Sequence, residues 1–123
     1  MVAKDLVAAS ATPMVLGILA EQESYGYAIL KRINELSGGE LEWTEGLLYP
    51  LLHRLERLGY VESTWRSVAG ERRRKYYRIT KAGLDELAEQ RRQWDTVVDA
   101  LKEIWLGLRD HGPLPALPAE CRA

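Results

Sequence analysis

Arg72, Arg73, Arg74 and Lys75 stand in an unbroken run just after Gly70, and no other stretch of the chain gathers four like charges. Guanidinium and ammonium groups on a flexible loop are donors for phosphate oxygens. They bind a nucleic-acid backbone by neutralising it and releasing its counterions. A second set of donors, His53, Arg54 and Arg57, is interleaved with Leu48, Leu51, Leu52, Leu55 and Leu58. The leucines recur at helical spacing and the donors fall between them, which predicts a helix with one face in a core and another free to meet a partner. Total charge does not favour this chemistry: Lys and Arg number 17, Asp and Glu 18, for a net charge of −1. The inference rests on where the charge lies. Much of the negative charge lies elsewhere, at Asp85, Glu86, Glu89, Asp95, Asp99 and Glu103.

Other chemistries find little footing. His53 and His111 have no cysteine, serine or carboxylate at the spacing of a catalytic constellation, and no glycine-rich phosphate loop is present. An enzyme is therefore not expected, and neither is a cofactor. Asp110, His111, Glu120 and Cys121 surround a proline-rich segment without a recognised ligand spacing, so no metal site is expected. The lone cysteine, Cys121, excludes an intramolecular disulfide and suits a reducing, cytoplasmic setting. The apolar stretch from Leu6 to Ala20 is interrupted by Ser10, Thr12 and Pro13 and falls short of a membrane span. It is expected to be a core helix.

The elements that would carry these donors follow from local signals. Thr12-Pro13 is a helix-start signal, leading into Met14, Leu16, Gly17, Ile18 and Leu19. A second start is expected at Ser24, with Ile29, Ile33 and Leu36 turned inward and Gly38-Gly39 as the stop. A third helix is expected to begin at Thr44 as its cap and to end at Gly59, with an irregular beginning imposed by Pro50. Residues Tyr60 to Trp65 and Lys75 to Ile79 form two strand-like stretches around a polar segment with Gly70, which predicts a β-hairpin. Beyond Thr80, a further cap, Leu84, Leu87, Arg91, Trp94, Val98, Leu101, Trp105 and Leu108 alternate spacings of three and four. A helix of roughly 25 residues extends about 40 Å, more than a domain of this size covers by itself, so a second copy of the chain is the natural cover. Trp43 and Trp65 are expected in core or rim positions near the third helix and the wing.

The expected fold is mainly α with a small β-hairpin: a winged helix-turn-helix over residues 1–80, a dimerisation helix over 81–110 and a flexible proline-rich tail over 111–123. In this architecture the third helix enters the major groove of double-stranded DNA while the hairpin follows the backbone. The same fold also serves as a protein-interaction module that does not touch DNA. Salt dependence separates the two, since phosphate contacts weaken steeply as salt rises.

Several stretches together resemble the PadR family of transcriptional regulators, over about residues 12 to 105. They are Tyr25-Gly26-Tyr27, Gly46-Leu47-Leu48-Tyr49-Pro50, His53-Arg54-Leu55-Glu56, Arg73 to Thr80, and Ala82-Gly83. The single C-terminal helix resembles the short branch that includes multidrug-sensing repressors. The resemblance implies DNA contacts from Gly46, Leu47, Tyr49, Pro50, His53 and Arg54 on the recognition helix and from Arg72, Arg73, Arg74 and Lys75 on the wing. Tyr49 would reach a phosphate. The family commonly has threonine where this chain has Leu47, so a hydroxyl contact is missing there, although a leucine can pack on a thymine methyl. Glu42 and Glu45 favour the helix dipole but repel a close phosphate. The resemblance further implies a homodimer joined through Leu84, Leu87, Trp94, Val98, Leu101, Trp105 and Leu108, acting as a repressor on a palindromic operator. In the multidrug-sensing branch, a tryptophan matching Trp94 stacks on flat aromatic compounds at the dimer centre, with Ala11, Val15 and Val98 as its implied neighbours. The other role for Trp94 is plain dimer core.

Overall fold

The computed structural model describes residues 1–67, 70 and 72–109. Two compact units are distinguished, Met1–Gln90 and a second that begins at Arg91. Within the described residues the elements are α1 (Lys4–Glu21), β1 (Ser24–Tyr25), α2 (Gly26–Ser37), α3 (Glu45–Arg57), β2 (Val61–Arg66), β3 (Arg74–Ile79) and α4 (Lys81–Arg109). The fold is mainly α with a small antiparallel sheet. None of the described helices is long and apolar enough to cross a membrane. The expected tail over 111–123, with Cys121, lies outside the described residues.

The core of the first unit is assembled from one face of each of three helices. Val15, Leu16, Ile29, Ile33, Leu48, Leu52 and Leu55 are at most 1% exposed and cluster with Val61 and Tyr77 of the sheet. Truncating one such side chain to alanine costs about 2–5 kcal/mol, because transfer and cavity terms add. Leu36 and Leu58, expected to face inward, are instead exposed. Leu58 caps the C-terminus of α3, where the backbone leaves the helix and its side chain leaves the buried face.

Three local expectations are corrected. First, α1 begins at Lys4, so Pro13 lies inside the helix and not at its start. A proline there withholds one N–H from the carbonyl of Ala9, an exposed residue whose oxygen water can satisfy. Second, Ser24 does not cap α2; Ser24–Tyr25 forms a two-residue strand, and α2 starts at Gly26 without a side-chain cap. Third, α3 runs as continuous α-helix through Pro50. Pro50 would have donated to the carbonyl of Gly46, which is exposed, so the early turns keep their form. Thr44 does cap α3, its hydroxyl accepting from Leu47 N at 3.2 Å.

The sheet order is β1-β3-β2, with the wing hairpin paired from Val61↔Ile79 to Arg66↔Arg74 and β1 added through Ser24↔Tyr77 and Tyr25↔Tyr76. The period of two sets the faces. Val61, Ser63, Tyr77 and Ile79 share one side, which carries the buried Val61 and Tyr77, while Glu62, Arg66, Tyr76 and Arg78 share the other. On that outer side Glu62 and Arg78 stand opposite each other and pair. The hairpin continues into α4 through a tight junction. Thr80 N donates to Tyr60 O at 3.0 Å, Thr80 Oγ1 donates to Gly59 O at 2.6 Å, and the same oxygen accepts from Gly83 N at 3.1 Å. Thr80 therefore caps α4, as its residue type indicates, and ties it to the chain leaving α3.

On α4, Leu87 packs against the core of the first unit. In the second unit Trp94 and Val98 are half-buried, whereas Val97, Leu101, Ile104, Trp105, Leu106 and Leu108 are exposed.

Candidate nucleic-acid interface

The first turns of α3, the start of α2 and the base of the wing surround an open cleft of about 490 Å³. Tyr49 and His53 reach it from α3, Tyr25, Gly26 and Tyr27 from the β1–α2 junction, and Trp65, Arg73, Arg74 and Lys75 from the wing. Tyr49 and His53 are four residues apart and so project from one side of the helix. The ring of Tyr49 lies across Gly26, where an added Cβ would fall 2.8 Å from Cζ of the tyrosine. Absence of a side chain at Gly26 is what lets the tyrosine settle there.

The wing cations are held by aromatic rings. The guanidinium of Arg73 lies 5.4 Å from the ring centre of Trp65, that of Arg74 4.5 Å from Tyr25, and that of Arg66 4.9 Å from Tyr76. Tyr25 and Tyr76 meet edge to face, with centroids 5.3 Å apart. Such contacts are worth about 0.5–1 kcal/mol at exposed sites, and they orient the guanidinium without neutralising it. Arg66 is also paired with Glu23, its second amino nitrogen donating to Oε2 at 2.7 Å. That hydrogen bond holds the Glu23 carboxyl below its ordinary range and raises the guanidinium of Arg66. Together these contacts anchor the hairpin to β1 and leave Arg72 and Arg73 exposed toward its tip.

Glu56 ties α3 to the wing. It accepts from the hydroxyl of Ser63, and Lys75 Nζ stands 3.8 Å from its other oxygen. Tyr77, 1% exposed, lies beneath the cleft; burial, with the nearby charge of Glu56, pushes its phenol above the ordinary value.

Each site residue expected from sequence has a definite place. Tyr49, His53, Arg73, Arg74 and Lys75 come together at the cleft, Lys75 already turned to Glu56. Gly46 and Pro50 are exposed on α3. Leu47 is half-buried and lines a different hollow with Val2, Val7 and Ala8. Arg54 points back to α1, donating to Thr12 Oγ1 at 3.2 Å. Ala11 and Val15 belong to the core of the first unit, at 6% and 0% exposure. Of the dimer residues, Leu84 is exposed at the start of α4. Tyr25, Tyr27 and Arg66 were not expected at the site from sequence; a glycine flanked by two tyrosines was the available signal. Trp43 is a partly buried neighbour of the core, and Trp65 is exposed on the wing.

Comparison with known proteins agrees with this fold. The family described as "Transcriptional regulator PadR-like family" matches residues 15–89. An uncharacterised protein X of Lysinibacillus sphaericus is 30% identical over 88% of this chain and 99% of its own length. The transcriptional regulator Rv3488 of Mycobacterium tuberculosis is 41% identical over 63% of this chain and 69% of its own length. Among solved structures, a PadR-like transcriptional regulator from Bacillus cereus superimposes with a TM-score of 0.73 at 27% identity, covering 83% of this chain and 97% of that one.

Proposed function

This chain belongs to the PadR-like family of transcriptional regulators, and on that premise we propose that it is a homodimeric repressor acting on a palindromic operator. The family's members regulate transcription and are not enzymes. In the proposed organisation residues 1–80 read DNA, the segment 81–110, to which α4 (Lys81–Arg109) belongs, joins two copies, and the protein works in the cytoplasm, where it meets the chromosome. Two recognition helices held by one dimer would occupy successive major grooves, about 10 base pairs apart or a multiple of that.

The observation that carries this proposal is the convergence of Tyr49 and His53 of α3 with the exposed Arg73 and the half-buried Arg74 and Lys75 of the wing at one cleft. Base edges would be met by the exposed start of α3, around Gly46 and Pro50, and backbone phosphates by Tyr49, Arg72 and Arg73. The pairing of two copies is supported by the exposed apolar side chains of α4, Leu101, Trp105 and Leu108 among them, which water would not otherwise leave uncovered on so long a helix. Trp94 and Val98 of the two copies would then offer an apolar place for a flat aromatic effector. An effector that favours one spacing of the two reading heads would shift DNA affinity by that preference.

The test is binding of the full chain to duplex DNA from upstream of its own gene, measured across salt concentrations. Specific, salt-sensitive binding is expected. Replacing Arg72 and Arg73 by alanine should reduce the slope of log affinity against log salt by about one for every phosphate that the variant no longer neutralises. Salt-independent association, or a slope indifferent to both replacements, would overturn it.

A further inference from the structure

Lys75 closes the basic run of the wing, but unlike the exposed Arg72 and Arg73 it is half-buried and already turned to a carboxylate on α3. We propose that Glu56 is a positioning residue for DNA recognition: it holds both strands of the wing against α3 and withholds Lys75 from the phosphate backbone, so that selectivity between sequences rises while general affinity falls. The proposal deepens the DNA-binding reading above and rests on it.

Tyr49, His53 and Glu56 are spaced by four and then three residues, so they form one stripe along α3. The first two reach the cleft. Glu56, further along the stripe, meets the hairpin. One of its oxygens accepts from the Ser63 hydroxyl on β2, and Lys75 Nζ on β3 stands 3.8 Å from the other. A single carboxylate thus reaches both strands of the hairpin from a helix that is no part of the sheet. Ser63 and Lys75 lie on the face that carries the buried Tyr77, Ser63 as its direct partner and Lys75 two residues before it. The ammonium also stands 5.5 Å from the centre of the Tyr77 ring.

Taken singly, a lysine–carboxylate pair at 3.8 Å between partly exposed side chains contributes little. Here the carboxylate is shared, and the Ser63 hydroxyl donates to a charged acceptor, a stronger bond than one between neutral groups. Without the charge on Glu56, Lys75 would lose its anion and join Arg72 and Arg73 as a phosphate donor. Phosphate contacts carry no sequence information directly, but they set the register in which base edges are read. A wing fixed to α3 makes those contacts in one register. A freed wing with one more available cation binds any duplex more tightly and distinguishes less between sequences.

The experiment titrates the full chain with duplex from upstream of its own gene and with a scrambled duplex of equal length, across salt concentrations. Wild type is compared with Glu56→Gln, Lys75→Met and Arg73→Ala. Glutamine keeps an oxygen for Ser63 and removes only the charge. Glu56→Gln should tighten binding to the scrambled duplex, steepen the slope of log affinity against log salt by about one, and reduce preference for the upstream duplex by about tenfold. Lys75→Met should leave the slope unchanged, because Lys75 neutralises no phosphate in the wild type, whereas Arg73→Ala should lower it by about one. A slope that falls in Lys75→Met as it does in Arg73→Ala, or that stays at the wild-type value in Glu56→Gln, would overturn the inference and leave the DNA-binding role standing. A merely structural role for Glu56 would weaken binding to both duplexes without steepening the slope, and that result overturns it as well. If the wild type binds neither duplex, the DNA-binding role fails and this inference fails with it.

Discussion

Gly26 and Tyr49 are a fitted pair: the aromatic ring of one occupies the space that a side chain on the other would need, with Cζ 2.8 Å from the position of a Cβ at Gly26. The contact sets the start of α2 against α3. Gly26→Ala should therefore push the Tyr49 ring out of place and destabilise the fold by about 1–3 kcal/mol, as overpacking does. Thermal or urea denaturation measures this. A double-mutant cycle with Tyr49→Ala should show strong coupling, since the clash disappears once the ring is gone. Additive effects would show that the two residues do not act as a pair.

Thr44 supplies the side-chain cap at the N-terminus of α3, through Leu47 N. Thr44→Ala should cost about 1 kcal/mol, within a range of roughly 0.5–2, and should fray the turn proposed to face DNA. Amide hydrogen exchange at residues 46–48 should accelerate while exchange in α1 stays slow. Uniform acceleration across the unit would instead mean a global destabilisation.

Tyr77 predicts an alkaline limit to stability. Its phenol is raised above 10.0 in the folded protein, chiefly by burial. The folded state therefore holds its proton more tightly than the unfolded chain does. The associated stability is fully present below the ordinary phenol value and is lost as pH rises from there through the folded value. Unfolding free energy should fall above about pH 10, and Tyr77→Phe should flatten that decline. An unchanged alkaline slope in the variant would assign the effect to other groups.

Pairing of two copies through α4 has a direct test. Leu101 and Trp105 are 38% and 54% exposed on the single chain. Replacing both with glutamate should convert a dimer to a monomer in sedimentation while leaving helical content intact. Operator affinity should then fall by on the order of a hundredfold or more, since the second reading head is no longer tethered beside the first. A wild-type chain that sediments as a stable monomer would refute the arrangement outright.

The sequence made the wing, the Thr44 and Thr80 caps and the long α4 legible, because each rests on contacts among near neighbours in the chain. The signals for β1 are different in kind. Two residues cannot display an alternation, and Ser24–Tyr25 becomes a strand only because β3 passes beside it, about fifty residues later in the chain. Pro13 and Pro50 carry strong helix-breaking chemistry, yet both sit where the carbonyl they abandon belongs to an exposed residue. Arg54 looked like a groove donor from its place on α3, and its bond to Thr12 spans 42 positions that no local pattern connects. Tyr25 and Tyr27 were visible as a motif, but their place at the cleft depends on how α2 approaches the wing.

The strand order leaves β2 with a neighbour on one side only among the described residues. An unpaired strand is a template on which another chain can grow, and its danger rises with protein concentration. Here that strand is six residues long and carries Glu62, paired with Arg78, and Arg66, paired with Glu23. A foreign strand docking alongside would gain only a short run of backbone bonds beside a charged surface. The hairpin that must stay bare enough to reach its partner is thereby guarded against fibre growth.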